Sequence, residues 1–130
     1  MPPVALDLSS LPGGPAPGSL LCHVSDIENG AAKLLTFGSG VERYDIFLQR
    51  SGDQVFAYVN SCPHARHPLD WQPGRFLDRT GTLIQCASHG ARFRMEDGLC
   101  VAGPCLGKYL RSVALVVEGG AVFVPGPLPA

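Results

Sequence analysis

Charge is scarce in this chain, and the scarcity excludes several roles. Only 16% of its 130 residues are charged, and they sum to −1 at pH 7. That balance removes the electrostatic basis for binding nucleic acid. No polybasic run or long amphipathic helix is present to hold the chain on a membrane surface. Long apolar runs are missing as well: nowhere do about eighteen apolar residues follow one another, so no membrane span is expected. The opening stretch, residues 1–21, has no cationic start, and Pro12, Gly13, Gly14, Pro15 and Pro17 break its apolar character. It does not read as a secretion signal, so a cytoplasmic protein is expected. Cysteines in that compartment serve as metal ligands or thiols more often than as disulfides, and the odd count of five agrees. Also lacking are a repeat of 20–50 residues, a phosphate-cradling glycine loop, and a Ser or Cys nucleophile with a spare base.

What is present is a globular composition, 45% hydrophobic, on a length that suits one domain. Residues 1–19 are rich in Pro and Gly and read as an N-terminal arm, either lying along the domain or mobile. Residues 125–130 form a Pro-rich tail. Between them, residues 20–124 read as the domain itself. Leu20 to Val24 is a candidate first strand, and Ser25-Asp26-Ile27-Glu28 has capping-box spacing, with Gly30 too near for more than one helical turn.

Every later signal is β. Lys33 to Phe37 is a short strand. Arg43 to Arg50 alternates, with Tyr44, Ile46 and Leu48 on one face, and Ser51-Gly52-Asp53 turns it back into Gln54 to Asn60. After a loop-like segment from Asp70 to Asp78 come Leu83 to Cys86, then Phe93 to Met95 turning through Glu96-Asp97-Gly98 into Leu99 to Val101. Val113 to Val117 and Ala121 to Val124 make the last hairpin. Many short strands with turn signals every few residues predict a compact all-β fold.

Two short motifs stand out against this scaffold. Cys62-Pro63-His64 is C-x-H, and Cys86-Ala87-Ser88-His89 is C-x-x-H, with twenty-one residues between His64 and Cys86. Each sits at a strand-to-loop junction, where a short loop turns a thiol and an imidazole to the same side. Two cysteines with two histidines are a common structural zinc set. Zinc motifs, however, usually pair like with like, as C-x₂₋₄-C and H-x₃₋₅-H. One thiolate and one imidazole per loop also suits a two-iron cluster with two cysteines on one iron and two histidines on the other.

Cys62-Pro63-His64 with Pro68-Leu69, and Cys86-Ala87-Ser88-His89-Gly90 with Phe93, resemble the Rieske 2Fe–2S family. The resemblance runs from about Leu20 to Val124, with Gly98 and Gly103-Pro104 at the places of that family's glycine turn and cluster-covering proline loop. It implies a small Rieske-type domain of stacked short antiparallel sheets with two cluster-binding loops. It implies one 2Fe–2S cluster, Cys62 and Cys86 ligating one iron, and His64 and His89 the other. Bridging sulfides complete both tetrahedra.

The branches of that family separate on local residues. Respiratory members resemble one another in a loop-locking disulfide, whose positions here are His67 and Ser88. They also carry a Ser and a Tyr after the second motif, where this chain has Ala91 and Phe93. Losing two hydroxyl donors to the cluster sulfurs lowers the reduction potential. An oxygenase needs a further iron held by two histidines and a carboxylate, and only His23 and His67 remain for it. The chain is therefore expected to be no oxygenase by itself. It resembles soluble ferredoxins that pass electrons from a reductase to an oxygenase or related redox enzyme. Two alternatives stay open: a Rieske-like regulatory or small subunit of a reductase such as nitrite reductase, and a zinc-stabilised binding module.

Around the cluster, Pro68, Leu69 and Gly103-Pro104 are expected to form an apolar docking rim, with Arg66 and Arg92 beside it. Cys100 and Cys105 flank the proline loop and read as small buried hydrophobes, although a disulfide or thiol switch there is an open alternative. Cys22 and His23 read as strand residues, and Trp71 as a packing residue.

Overall fold

The computed structural model describes residues 4–11, 13–38, 40, 43–61, 63, 69–70, 75–86 and 90–126. Nine strands lie among them: β1 (Leu20–His23), β2 (Ala32–Phe37), β3 (Tyr44–Ser51), β4 (Gln54–Val59), β5 (Leu83–Gln85), β6 (Arg92–Arg94), β7 (Cys100–Ala102), β8 (Val116–Glu118) and β9 (Ala121–Phe123). They pair antiparallel as three three-stranded sheets, β1-β9-β8, β2-β3-β4 and β5-β6-β7. The predicted all-β class is the observed one. No helix among the described residues is long and apolar enough to cross a membrane.

The middle sheet organises the packing. Gly52, at φ +62°, makes the two-residue turn that pairs Ser51 with Gln54 and sets the β3–β4 register. The alternation in β3 placed Ile46 and Leu48 on one face; the structure buries the other face too, and Ile46, Phe47, Leu48 and Gln49 are all fully buried. The reason is that β3 lies between two cores. Ile46 and Leu48 join Val55, Ala57, Cys22 and Val122 in one cluster. Phe47 points the opposite way and joins Tyr58, Phe76, Ile84 and Phe93 in the other. Alternation therefore feeds two apolar layers from one strand. Gln49 is accommodated because its Nε2 donates to the carbonyls of Gly30 and Ala31, both at 3.0 Å.

Segments read as loops are tied to these layers. Phe76, in the stretch expected to be loop, stacks on Phe47 with ring centroids 3.9 Å apart and planes 10° from parallel. Leu77 forms an antiparallel bridge with Ile84. In the N-terminal arm, Leu6 donates to the Ser112 carbonyl at 2.8 Å and accepts from the Ala114 N–H at 2.9 Å. Leu8 is fully buried in the second core. The turn after β1 is a 3-10 turn, Val24–Asp26, and its cap differs from the expected Ser25: the Asp26 carboxylate reaches back to accept the His23 N–H at 2.8 Å. Cys22 is a buried strand residue, and burial, reinforced by the Asp26 carboxylate, pushes its thiol pKa up.

Candidate metal centre

Two loops and a turn converge on the first core. The hairpin β3–β4 delivers the chain into the first ligand loop. Asn60, the residue after β4, donates its backbone N–H to the Asp45 carbonyl at 2.8 Å, and Ser61 donates to Val59 at 2.9 Å. The Asn60 side chain then spans the loop: its Oδ1 accepts the Leu69 N–H at 2.7 Å, and its Nδ2 donates to Asp70 Oδ1 at 3.1 Å. One side chain thus holds both ends of the segment that carries Cys62 and His64. Those two predicted ligands, together with Arg66, His67 and Pro68, lie outside the described residues, as does Trp71.

Leu69 corrects an expectation. It was placed on an exposed rim, but its exposure is 0%, and it belongs to the first core. An apolar side chain at the loop's end is more stable as the loop's root than as its rim, because burial removes its whole apolar surface from water.

The second loop leaves β5. Cys86 is fully buried, donates its N–H to the Ala91 carbonyl at 2.8 Å, and accepts the Gly90 N–H at 3.0 Å. These two bonds close the loop that contains His89. Gly90, at φ +68°, supplies the left-handed backbone that the return requires. His89 and Ser88 lie outside the described residues. Ala91 and Phe93 are both fully buried, and Phe93 continues into β6 opposite Ile84.

The third piece is the turn at Gly103-Pro104. A Cβ on Gly103 would stand 2.7 Å from the Ala91 Cα, and Gly103 has φ +97°. Only glycine permits that approach, so the proline loop lies directly against the backbone of the second ligand loop. Leu69, Cys86, Ala91 and Cys105 all belong to one buried cluster. Both ligand loops and the proline loop are therefore rooted in the same apolar layer.

Arg92 is half exposed, with its Nε 4.0 Å from Asp78 Oδ2. Burial pushes the Asp78 carboxyl up, but hydrogen bonds from Thr80, Leu83 and Thr82 and the charge of Arg92 outweigh it and hold the pKa below the ordinary value. Beside the first loop, Leu6, Tyr44, Val59, Ser61, Pro63, Tyr109 and Arg111 line an open groove of about 460 Å³.

Among the described residues no three His, Cys, Asp or Glu side chains come together. Of the four predicted ligands, Cys86 is the one described, and its surroundings fit a metal-sulfur group. It is a thiol shielded from water, on a backbone fixed by two hydrogen bonds, within an apolar cluster. Sequence reasoning missed Asn60. The signal was an amide side chain between the end of a strand and C-x-H, a position where Asn commonly caps loop N–H groups.

Comparison with known proteins follows the same lines. The family model described as Rieske [2Fe-2S] domain matches residues 19–118. The chain is 28% identical over 109 residues to the ferredoxin CarAc of Metapseudomonas resinovorans, covering 82% of this chain and 91% of that protein. Among solved structures, it resembles the ferredoxin of carbazole 1,9a-dioxygenase from Nocardioides aromaticivorans IC177. That likeness has 25% identity and a TM-score of 0.66, and covers 86% of this chain and all of the other. A ferredoxin-length chain in a complex of reduced oxygenase and oxidized ferredoxin, also of carbazole 1,9a-dioxygenase, matches at 27% identity. There the TM-score is 0.65, covering 86% of this chain and 95% of that one.

Proposed function

This chain belongs to the Rieske [2Fe-2S] domain family, and on that premise we propose that it is a one-electron carrier serving an oxygenase or related redox enzyme. It binds one Rieske-type 2Fe–2S cluster. Cys62 and Cys86 hold one iron and His64 and His89 the other, on the domain of residues 20–124. The bound cluster supplies reversible uptake of a single electron. The chain's own residues supply the rest. Cys86 is held as a buried ligand by the Ala91 and Gly90 hydrogen bonds. Asn60 fixes the span of the Cys62–His64 loop. Gly103-Pro104 shields the second loop along Ala91.

The observation that carries this reading is the common root of the loops: Leu69, Cys86, Ala91 and Cys105 in one buried cluster. A core that anchors both C-x-H and C-x-x-H loops is what a centre shared between them requires. The likeness to a ferredoxin of carbazole 1,9a-dioxygenase, and to a chain in an oxygenase–ferredoxin complex, supports an oxygenase as acceptor; a reductase is the donor that the resemblance to soluble Rieske ferredoxins implies. Docking is weak and transient, as electron exchange demands. Arg92 and the exposed Gly103-Pro104 turn lie at the docking end. The proposed site of action is the cytoplasm, a reading supported by the odd count of five cysteines.

Metal and acid-labile sulfide analysis of anaerobically purified protein tests the reading. The expected result is about two irons and two sulfides per chain, with the broad visible absorption of an iron–sulfur cluster. Colourless protein with one zinc per chain overturns it in favour of a zinc-stabilised module.

A further inference from the structure

Cys100 and Cys105 belong to no ligand set, yet they are placed with some care. Cys105 Sγ donates to Cys100 Sγ at 3.4 Å, and Cys100 Sγ lies 3.2 Å from the Ala102 carbonyl, to which it donates. Each is about 1% exposed. The backbone between them is held at its base: Gly107 donates to the Cys100 carbonyl at 3.1 Å, Lys108 donates to Cys105 at 2.9 Å, and Cys100 donates to Lys108 at 2.8 Å. Inside that base sit Gly103 and Pro104, the turn that lies on Ala91.

We propose that Cys100 and Cys105 are a dithiol/disulfide couple, oxidised by hydrogen peroxide, whose cross-link locks the turn that rests on the second ligand loop. A disulfide needs its sulfurs about 2.0 Å apart, so the pair must close by a little over 1 Å. The Gly107 side of the turn leaves room for that, since a Cβ there would meet nothing within 4 Å. The turn that spans the two cysteines is exposed at Gly103, Pro104, Leu106 and Gly107, which gives peroxide a short approach. One sulfur attacks the peroxide O–O bond, giving a sulfenic acid and one water. The second sulfur then displaces hydroxide from it, giving the S–S bond and a second water. Two thiol protons and two electrons leave the protein, and one peroxide is reduced to two waters. A hydrophobic pair needs no sulfur-to-sulfur contact; a resolving cysteine already at 3.4 Å makes the second step intramolecular and rapid.

The test uses the cluster-loaded protein. It is titrated anaerobically with hydrogen peroxide from below one equivalent, quenched with catalase, alkylated in denaturant, and digested with trypsin. Both cysteines fall in the peptide of residues 95–108. The expected product is that peptide lighter by the two lost hydrogens, closed to alkylation until reduced, formed before the visible absorption of the cluster declines. Bleaching of the cluster while both cysteines still alkylate overturns the proposal. So does sulfinic or sulfonic acid at either position without a cross-link.

Discussion

The side-chain carbonyl of Asn60 accepts the backbone N–H of Leu69 at 2.7 Å, across nine residues of chain. The same side chain donates to Asp70 at 3.1 Å. A loop rooted on one side by a strand and on the other by a buried leucine is thus closed at its neck by one amide. Removing that amide leaves a part-buried N–H unsatisfied, at a cost of about 1–3 kcal/mol. Asn60→Ala is expected to lower stability by that amount in denaturant unfolding and to speed loss of visible cluster absorption under a chelator. An unchanged rate of cluster loss would show that the neck does not hold the loop.

Gly103 and Gly107 share the same turn and the same sign of φ, but only Gly103 touches another loop. At Gly107 alanine meets open space and costs the left-handed backbone strain alone, about 1–2 kcal/mol. At Gly103 it adds a Cβ 2.7 Å from the Ala91 Cα, a separation that forces the turn off the second ligand loop. Gly103→Ala is expected to be the more destabilising of the two and to shorten the cluster's lifetime in air, with Gly107→Ala close to wild type in lifetime. Equal lifetimes would remove the turn's shielding role.

Local pattern carried the elements that local pattern can encode. Period-two alternation and the turn at Gly52 marked the β3–β4 hairpin, and the mixed Cys/His pairs singled out the loops that follow β4 and β5. What it missed involves partners far apart in the chain. Alternation in β3 identified Ile46 and Leu48 as buried, but nothing near Phe47 signals Phe76, the ring it stacks on. Leu69 read as rim because its neighbours are loop-like, whereas its burial depends on the core formed with Ile84 and Phe93. The turn after β1 is capped from His23 rather than Ser25, with the Asp26 carboxylate three residues on accepting the His23 N–H. The arm's course was open in the sequence; hydrogen bonds of Leu6 with Ser112 and Ala114 and the burial of Leu8 in the second core fix it.

Tyr58 lies in the first core together with Met95. It is 2% exposed, and its hydroxyl donates to the Met95 carbonyl at 2.6 Å. Burial, and then the charges of Asp97 and Glu96, push its pKa far above the ordinary tyrosine value. The folded state therefore favours the neutral phenol. Its contribution is fully present below the unfolded pKa of about 10 and is lost as pH rises from there toward the folded value. Tyr58→Phe is expected to lose about 1–2 kcal/mol at neutral pH through the unpaired Met95 carbonyl. It is also expected to flatten the alkaline fall in stability, read as denaturant midpoints between about pH 9 and 11. A fall as steep in the variant would assign the alkaline loss to other groups.

Ala91 sets the electrostatics of the second loop by what it lacks. It is fully buried, its carbonyl is committed to the Cys86 N–H, and its side chain offers no hydrogen-bond donor. Phe93, also fully buried, offers none either. With Cys86 as a ligand, as proposed, an added electron would bring negative charge near these residues, and in a low-dielectric core a donor would stabilise such charge more than it would in water. With neither donor present, the reduced state is left less stabilised. The midpoint potential is expected below about +100 mV, in the lower part of the span of about −150 to +300 mV open to Rieske centres. Ala91→Ser adds one hydroxyl to a buried side chain next to the close approach of Gly103, in the cluster that also holds Cys86. The variant is expected to titrate at a higher potential than wild type by voltammetry, with the same iron content. A wild-type midpoint above that limit, or a serine variant that titrates with wild type, would remove Ala91 as a determinant of the potential.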